Sequence, residues 1–243
     1  MSTFTHKLLD YLLLAQQDSI LTDFEVAYNE VKFPCHKAIV TLYSSHVVQC
    51  LANNLSSYEV DENDEITTDD FISAMKSMYG KTLSLRGNNV LPFLFLSKSM
   101  GCSEFEQLCR EVIRSSGSCN HGSVNTLLKK LEKDNYKDHQ IIFHDAVFNF
   151  HKFLLATFSP YFRAKFSHQW EDTSSHTSDF TGLLQVSIAT FSSFFKSFYN
   201  GVLSLSLENA FEYNHLAWYF QLSQLEQFTE SFYCQVHSRL QVG

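Results

Sequence analysis

The stretch FNFHKFLLATFSPYFRAKF (residues 148–166) decides how this chain is read, because a version of it stands 115 positions earlier as FPCHKAIVTLYS (residues 33–44). Both run from an aromatic segment through Phe-x-x-His-Lys into an apolar stretch and then a Ser. At the same offset Asp23 matches Asp138, Val26 matches Ile141, His36 and Lys37 match His151 and Lys152, and Ser44 matches Ser159. Farther along the offset becomes 120, and FISAMKSMYGKTLSL (residues 71–85) matches FSSFFKSFYNGVLSL (residues 191–205). The change falls in residues 167–184, where the second half carries the loop-like tract EDTSSHTSDFTG and the first carries seven carboxylates between positions 59 and 70. A unit this long is a duplicated domain rather than a solenoid repeat. The predicted division is residues 1–115 and residues 116–243.

Period and punctuation predict the elements of each copy. Phe24, Val26 and Tyr28 alternate with Glu25 and Ala27, Asn29-Glu30 makes a turn, and Val31 to Phe33 return, which is a hairpin; His144-Asp145 turns its counterpart. Helical segments follow His36, then a short strand near Tyr58, then a helix over residues 68–79 with a Thr/Asp start and Gly80 at its end. A strand over 82–85 precedes helices over 89–100 and 103–113, the last opening with the capping-box pattern Ser103-x-x-Glu106. The expected class is α+β, each domain a mainly helical cluster flanked by a small β-sheet.

Composition narrows the function classes. The 243 residues carry 26 acidic and 18 basic side chains, a formal charge of −8, and no Lys/Arg cluster, so nucleic acid is not an expected partner. Neither a secretory signal nor a stretch long and apolar enough for a bilayer is read, so no membrane is expected. Six cysteines scattered without CxxC spacing suggest free thiols in a reducing compartment, cytoplasmic or nuclear.

With these residues in view, the chain resembles the BTB/POZ domain family twice over, across roughly residues 20–113 and 136–240. The strand, His-Lys, helix, Ser-Pro, helix order of residues 148–166 is similar to that family's signature, and residues 71–85 and 191–205 resemble its next element. The segment ILTDF (residues 20–24) is similar to members with an added N-terminal dimerisation helix. The resemblance implies protein interaction rather than catalysis: such domains dimerise, and many hold a cullin-type ubiquitin-ligase scaffold. Asp23 with Lys37, and Asp138 with Lys152, match residues lining a charged pocket near the dimer interface in similar domains; an Asp/Lys pair that merely sets strand against helix has the same sequence. Trp170, Glu171 and Asp172 align with the hydrophobic-x-Glu contact of cullin-binding members, with Asp172 in place of Glu, and Phe166 is a candidate contact beside them. The first copy has Leu55-Ser56-Ser57 there and no acid. A loop Trp covering its own core is the alternative.

Two copies in one chain suggest an intramolecular pseudo-dimer, since a short connector over residues 115–122 holds them at high effective concentration. Leu8, Leu9, Leu12 and Leu13, with Val124, Leu127, Leu128 and Leu131, are the expected seam; alternatively each set covers only its own domain. The function this implies is a cullin-RING ligase adaptor, or else an oligomerisation scaffold pairing with other BTB proteins without ligase function. No enzyme, cofactor or metal is expected. Asp61, Asn63 and Glu65 alternate as in an EF-hand loop, but Ile66 and Ile72 occupy the required Gly and Glu positions. Cys102, Cys109, Cys119 and His121 fit no structural-zinc spacing. His36 and His151 stand before helices without a nucleophile motif.

Overall fold

The computed structural model describes residues 2–167 and 176–241. The fold divides into two units, residues 2–135 and residues 136–243. In chain order the first holds α1 (Ser2–Gln17), β1 (Phe24–Tyr28), β2 (Val31–Cys35), α2 (Lys37–Val40), α3 (Ser45–Ala52), β3 (Ser57–Glu59), α4 (Thr68–Met78), β4 (Leu83–Arg86), α5 (Val90–Ser99), α6 (Ser103–Ser115), β5 (Ser118–His121) and α7 (Val124–Lys133). The second holds β6 (His139–Phe143), β7 (Ala146–Phe150), α8 (Lys152–Phe158), α9 (Pro160–Phe166), β8 (Thr177–Asp179), α10 (Ile188–Asn200), α11 (Ala210–Tyr219) and α12 (Ser223–Gln241). Each is a helical cluster with a three-stranded sheet, ordered β2-β1-β3 in one and β7-β6-β8 in the other. In both, the hairpin is antiparallel and the third strand joins parallel.

The hairpin follows from the alternation read in the sequence. Phe24, Val26 and Tyr28 are buried on one face, and Asn29 takes φ +52°, a left-handed value that Asn tolerates and a two-residue turn requires. His144 holds the matching turn position in the second unit at φ +53°. Ser44 and Ser159 cap α3 and α9 by accepting the N–H of Val47 and Phe162, and each hydroxyl donates to a carbonyl far along the chain, Met100 at 2.6 Å and Phe220 at 2.7 Å. One side chain thus starts a helix and pins it to the bundle. The core of the second unit is largely aromatic: Phe162 stacks on Phe220 at 5.2 Å and 11°, and Phe180, Phe191, Phe194 and Phe195 close round them.

Two expectations are corrected. The capping box does not form at Ser103, since α6 is preceded by Cys102 with no side-chain cap; it forms at Thr67 and Asp70 on α4, where both reciprocal bonds are present. The compact units divide after Asn135, downstream of residue 115. Residues 118–121, read as part of a connector, are the strand β5, which pairs antiparallel with β4 in the register Leu83 to His121 and Leu85 to Cys119. The helix α7 that follows packs on α1 and α2. By sequence this strand and helix lead the second copy, yet they are built into the first unit.

Glycine makes that crossing possible. A Cβ on Gly122, at φ +89°, would meet the Lys81 carbonyl oxygen at 2.2 Å, and one on Gly80, at φ +96°, would meet the Val124 backbone at 2.7 Å. Gly122→Ala therefore carries both a left-handed strain and a backbone clash, and it is expected to lower stability by about 3 kcal/mol. Chemical denaturation of the variant against the parent measures this.

Candidate functional site

The exchanged segment is fastened by polar pegs as well as by leucines. His121, 8% exposed, lies on the ring of Phe105 at 4.2 Å and 22°. The Ser77 hydroxyl donates to the Ala74 carbonyl at 2.6 Å, so toward His121 Nδ1, 2.9 Å away, it acts as acceptor and the ring carries its proton on Nδ1. Burial and the nearby Lys130 ammonium lower the ring's pKa to about 4, against the partial offset of Glu104. Lys130 itself pairs with Glu104 at 2.6 Å and lies 4.5 Å above the ring of Tyr43. The predicted seam residues meet here: Leu8, Leu12, Leu127, Leu128 and Leu131 are all but fully buried, Val124 nearly so, and Leu9 and Leu13 half so, with α1 against α7.

The charged positions sit at two equivalent strand-to-helix junctions. Asp23 accepts the backbone N–H of Lys37 at 2.7 Å and pairs with its ammonium at 3.1 Å, both side chains 39% exposed. Asp138 accepts the N–H of Lys152 at the same 2.7 Å, while the Lys152 ammonium lies 5.6 Å above the ring of Phe166. In both, the carboxylate holds the first N–H of the short helix that follows, at the end where a negative charge is favoured. Beside them the matched histidines are structural. The Tyr79 hydroxyl receives the His36 backbone N–H and donates to His36 Nδ1, both at 2.9 Å, leaving Nε2–H to donate to the Ile20 carbonyl. Tyr199 and His151 repeat the contact at 2.9 Å.

Of the candidate cullin contact, Trp170, Glu171 and Asp172 lie outside the described residues. Phe166 closes α9: it is 7% exposed, stacked on Phe162 at 5.7 Å and edge-on to His139 at 4.8 Å. Sequence reasoning passed over His139. It fills the place of Phe24, with Nε2 on the Ser178 hydroxyl at 2.8 Å and a buried Nδ1 that has no hydrogen-bond partner among the described residues. Burial, then Lys152, Lys165 and His176, lower its pKa to about 4. A second omission is the outer face of α11, where Phe211 is 73% and Trp218 64% exposed. Their spacing of seven puts them on one helical face. The signal was available, because Lys98 stands in the first copy where Trp218 stands in the second.

The other weighed sites have structural occupations. The Asn63 side chain accepts the Glu65 N–H within its own turn. Cys102 and Cys109 are buried, which pushes their thiols up to about 12, away from the reactive thiolate. No cluster of three or more metal-ligating side chains gathers among the described residues. No described helix is long and apolar enough to cross a membrane.

Among solved structures, the BTB domain of human gigaxonin shares 19% identity, over 44% of this chain and 88% of its own, at a TM-score of 0.38. The BTB domain of zebrafish PATZ1 shares 18%, over 46% and 91%, at 0.39. A search of curated protein sequences returns no match. The profile of the BTB/POZ domain matches residues 13–117 and again residues 127–237, so this chain belongs to the BTB/POZ domain family and carries two copies of its protein-interaction fold in tandem.

Proposed function

We propose that the chain is a non-enzymatic adaptor that pairs its two BTB copies in cis and brings a bound partner to a cullin-RING ubiquitin ligase through the second copy. The observation that supports pairing in cis is the exchanged segment: β5 and α7, leaders of the second copy by sequence, complete the first unit, as expected when a face that would otherwise recruit another molecule is covered from within the chain. The second copy is preferred for the ligase because Trp170-Glu171-Asp172 follows α9, an aromatic anchor beside two acids, whereas Leu55-Ser56-Ser57 offers no charge. The Asp/Lys junctions serve as helix-setting contacts in this reading.

Calorimetric titration of the full chain with the N-terminal region of a cullin tests the proposal. Micromolar binding is expected, weakened at least about tenfold by Trp170→Ala and by Asp172→Lys. A folded, monodisperse chain that does not bind would overturn the ligase role. The chain would then be a scaffold for other BTB proteins.

A further inference from the structure

The cysteines of the fold are free thiols, and β5 brings two of them to one place. Phe105, Cys109 and Val112 are buried on one face of α6, spaced four and three as a helix face requires. On β5, Cys119 and His121 share a face by alternation, with Leu85 and Leu83 of β4 opposite them. The stacked rings of Phe105 and His121, 4.2 Å apart, set the register between helix and strand. Ser116 and Gly117 alone join the two elements, and Ser116, at φ +49°, turns the chain back, so α6 and β5 run antiparallel and converge toward that corner. From the ring pair toward the corner, one turn along α6 covers about 6 Å and reaches Cys109. Two residues along β5 cover about 6.7 Å and reach Cys119. The two sulfurs therefore come level, facing each other across the seam between helix and strand. The electrostatics agrees: after burial, the strongest influence raising the Cys109 thiol is Cys119, ahead of Glu106, its neighbour on the same helix. Packing alone does not demand a thiol here. The counterpart of Cys109 at the offset of 120 is Thr229, fully buried, whose hydroxyl donates to the Asn214 side-chain oxygen at 2.7 Å.

We propose that Cys109 and Cys119 are a disulfide-forming pair, oxidised by a low-molecular-weight disulfide, that joins β5 covalently to α6. The reaction opens at Cys119, the half-exposed sulfur. Its thiolate attacks one sulfur of glutathione disulfide, the reagent's S–S bond breaks, and one glutathione thiolate leaves and takes the proton that Cys119 gave up. Cys109, on losing its own proton, attacks the Cys119 sulfur, and the second glutathione thiolate leaves and takes that proton. Two protein thiols are thereby oxidised to one disulfide, and one glutathione disulfide is reduced to two thiols. Burial pushes the Cys109 thiol up to about 12, so the closing step is slow, and the bond is a lock set by sustained oxidation rather than a rapid sensor. Residues 170–172 play no part, so the inference stands apart from the ligase reading.

The folded full chain is incubated with glutathione disulfide, its remaining thiols are alkylated, and it is digested after Lys, Arg and Glu. Glu104 and Glu106 separate Cys102 from Cys109, and Arg110 and Arg114 separate Cys109 from Cys119, so each cysteine lies on its own peptide. Mass spectrometry is expected to find residues 107–110 joined to residues 115–129, and dithiothreitol to part them. Cys109→Ala is expected to leave Cys119 carrying glutathione alone. Oxidation is expected to raise the urea midpoint of the parent, whose unfolded chain is now constrained, and not that of the variant. If Cys109→Ala does not fold, Cys119→Ser gives the same comparison from the exposed side. Cys109 recovered as a free thiol after prolonged oxidation of the parent, Cys119 joined to a different cysteine, or a joined chain with no gain in urea midpoint would overturn the proposal.

Discussion

Acidification from pH 7 to pH 5 is expected to strip about 2 kcal/mol of stability for each of two buried histidines, His121 in the first unit and His139 in the second. Both rings are neutral in the fold with pKa values lowered from 6.5 to about 4, by burial first and then by cations: Lys130 beside His121, and Lys152, Lys165 and His176 beside His139. The unfolded chain takes up these protons first. Above pH 6.5 neither state is charged and the full stability is present; as pH falls toward 4 the unfolded state gains protons that the folded state refuses, and stability is lost. Ordinary carboxylates protonate only near pH 4, so urea unfolding at pH 7 and pH 5 isolates the histidines. His139→Phe, which installs the residue that the first copy has as Phe24, removes a buried ring nitrogen without a partner and is expected to remove that ring's share of the loss, about 2 kcal/mol. Equal urea midpoints at the two pH values would mean that neither ring is held neutral.

The paired substitution Leu127→Ala and Leu128→Ala is expected to cost on the order of 5 kcal/mol or more, since each removes a fully buried leucine from α7 and such truncations cost about 3–5 kcal/mol singly. That is comparable with the whole stability of a small domain. The first unit is therefore expected to lose its cooperative fold although the substitutions lie in the second copy by sequence. Both tryptophans, Trp170 and Trp218, belong to the other unit. Far-UV circular dichroism is thus expected to show an early loss of helix that tryptophan emission does not follow. Leu127→Met, which keeps the volume, is expected to behave like the parent. Coincident melting of the double variant and the parent would show α7 to be a detachable connector.

The parts of the fold visible in the sequence are those fixed by local period and by the internal match. The alternation of Phe24, Val26 and Tyr28, the turn at Asn29, and the Ser that begins α3 and α9 depend on near neighbours, and the duplication doubled each signal. The family followed from the same residues. What stayed hidden depends on pairing across distance. SCNH, residues 118–121, has no strand pattern of its own and becomes β5 because β4 presents an edge to it, so a connector was expected where a strand lies. Ser103 makes no capping box because it is the first residue inside α6, one position past the N-cap, which Cys102 occupies without a side-chain cap. The packing of Phe166 against Phe162 and His139 likewise joins residues that no local period connects. His139 drew no reading among eleven histidines, because the neighbours that lower its pKa with burial, Lys152, Lys165 and His176, come from elsewhere in the sequence.

Amide hydrogen exchange on the intact chain tests the central claim, that the leading strand and helix of the second copy are part of the first unit. Residues 118–121 and 124–133 are predicted to exchange with the slow class that contains β4 and α5, while residues 203–206, the unpaired counterpart of β4, exchange fast. Fast exchange across residues 118–133, at the rate of an unstructured connector, would contradict it.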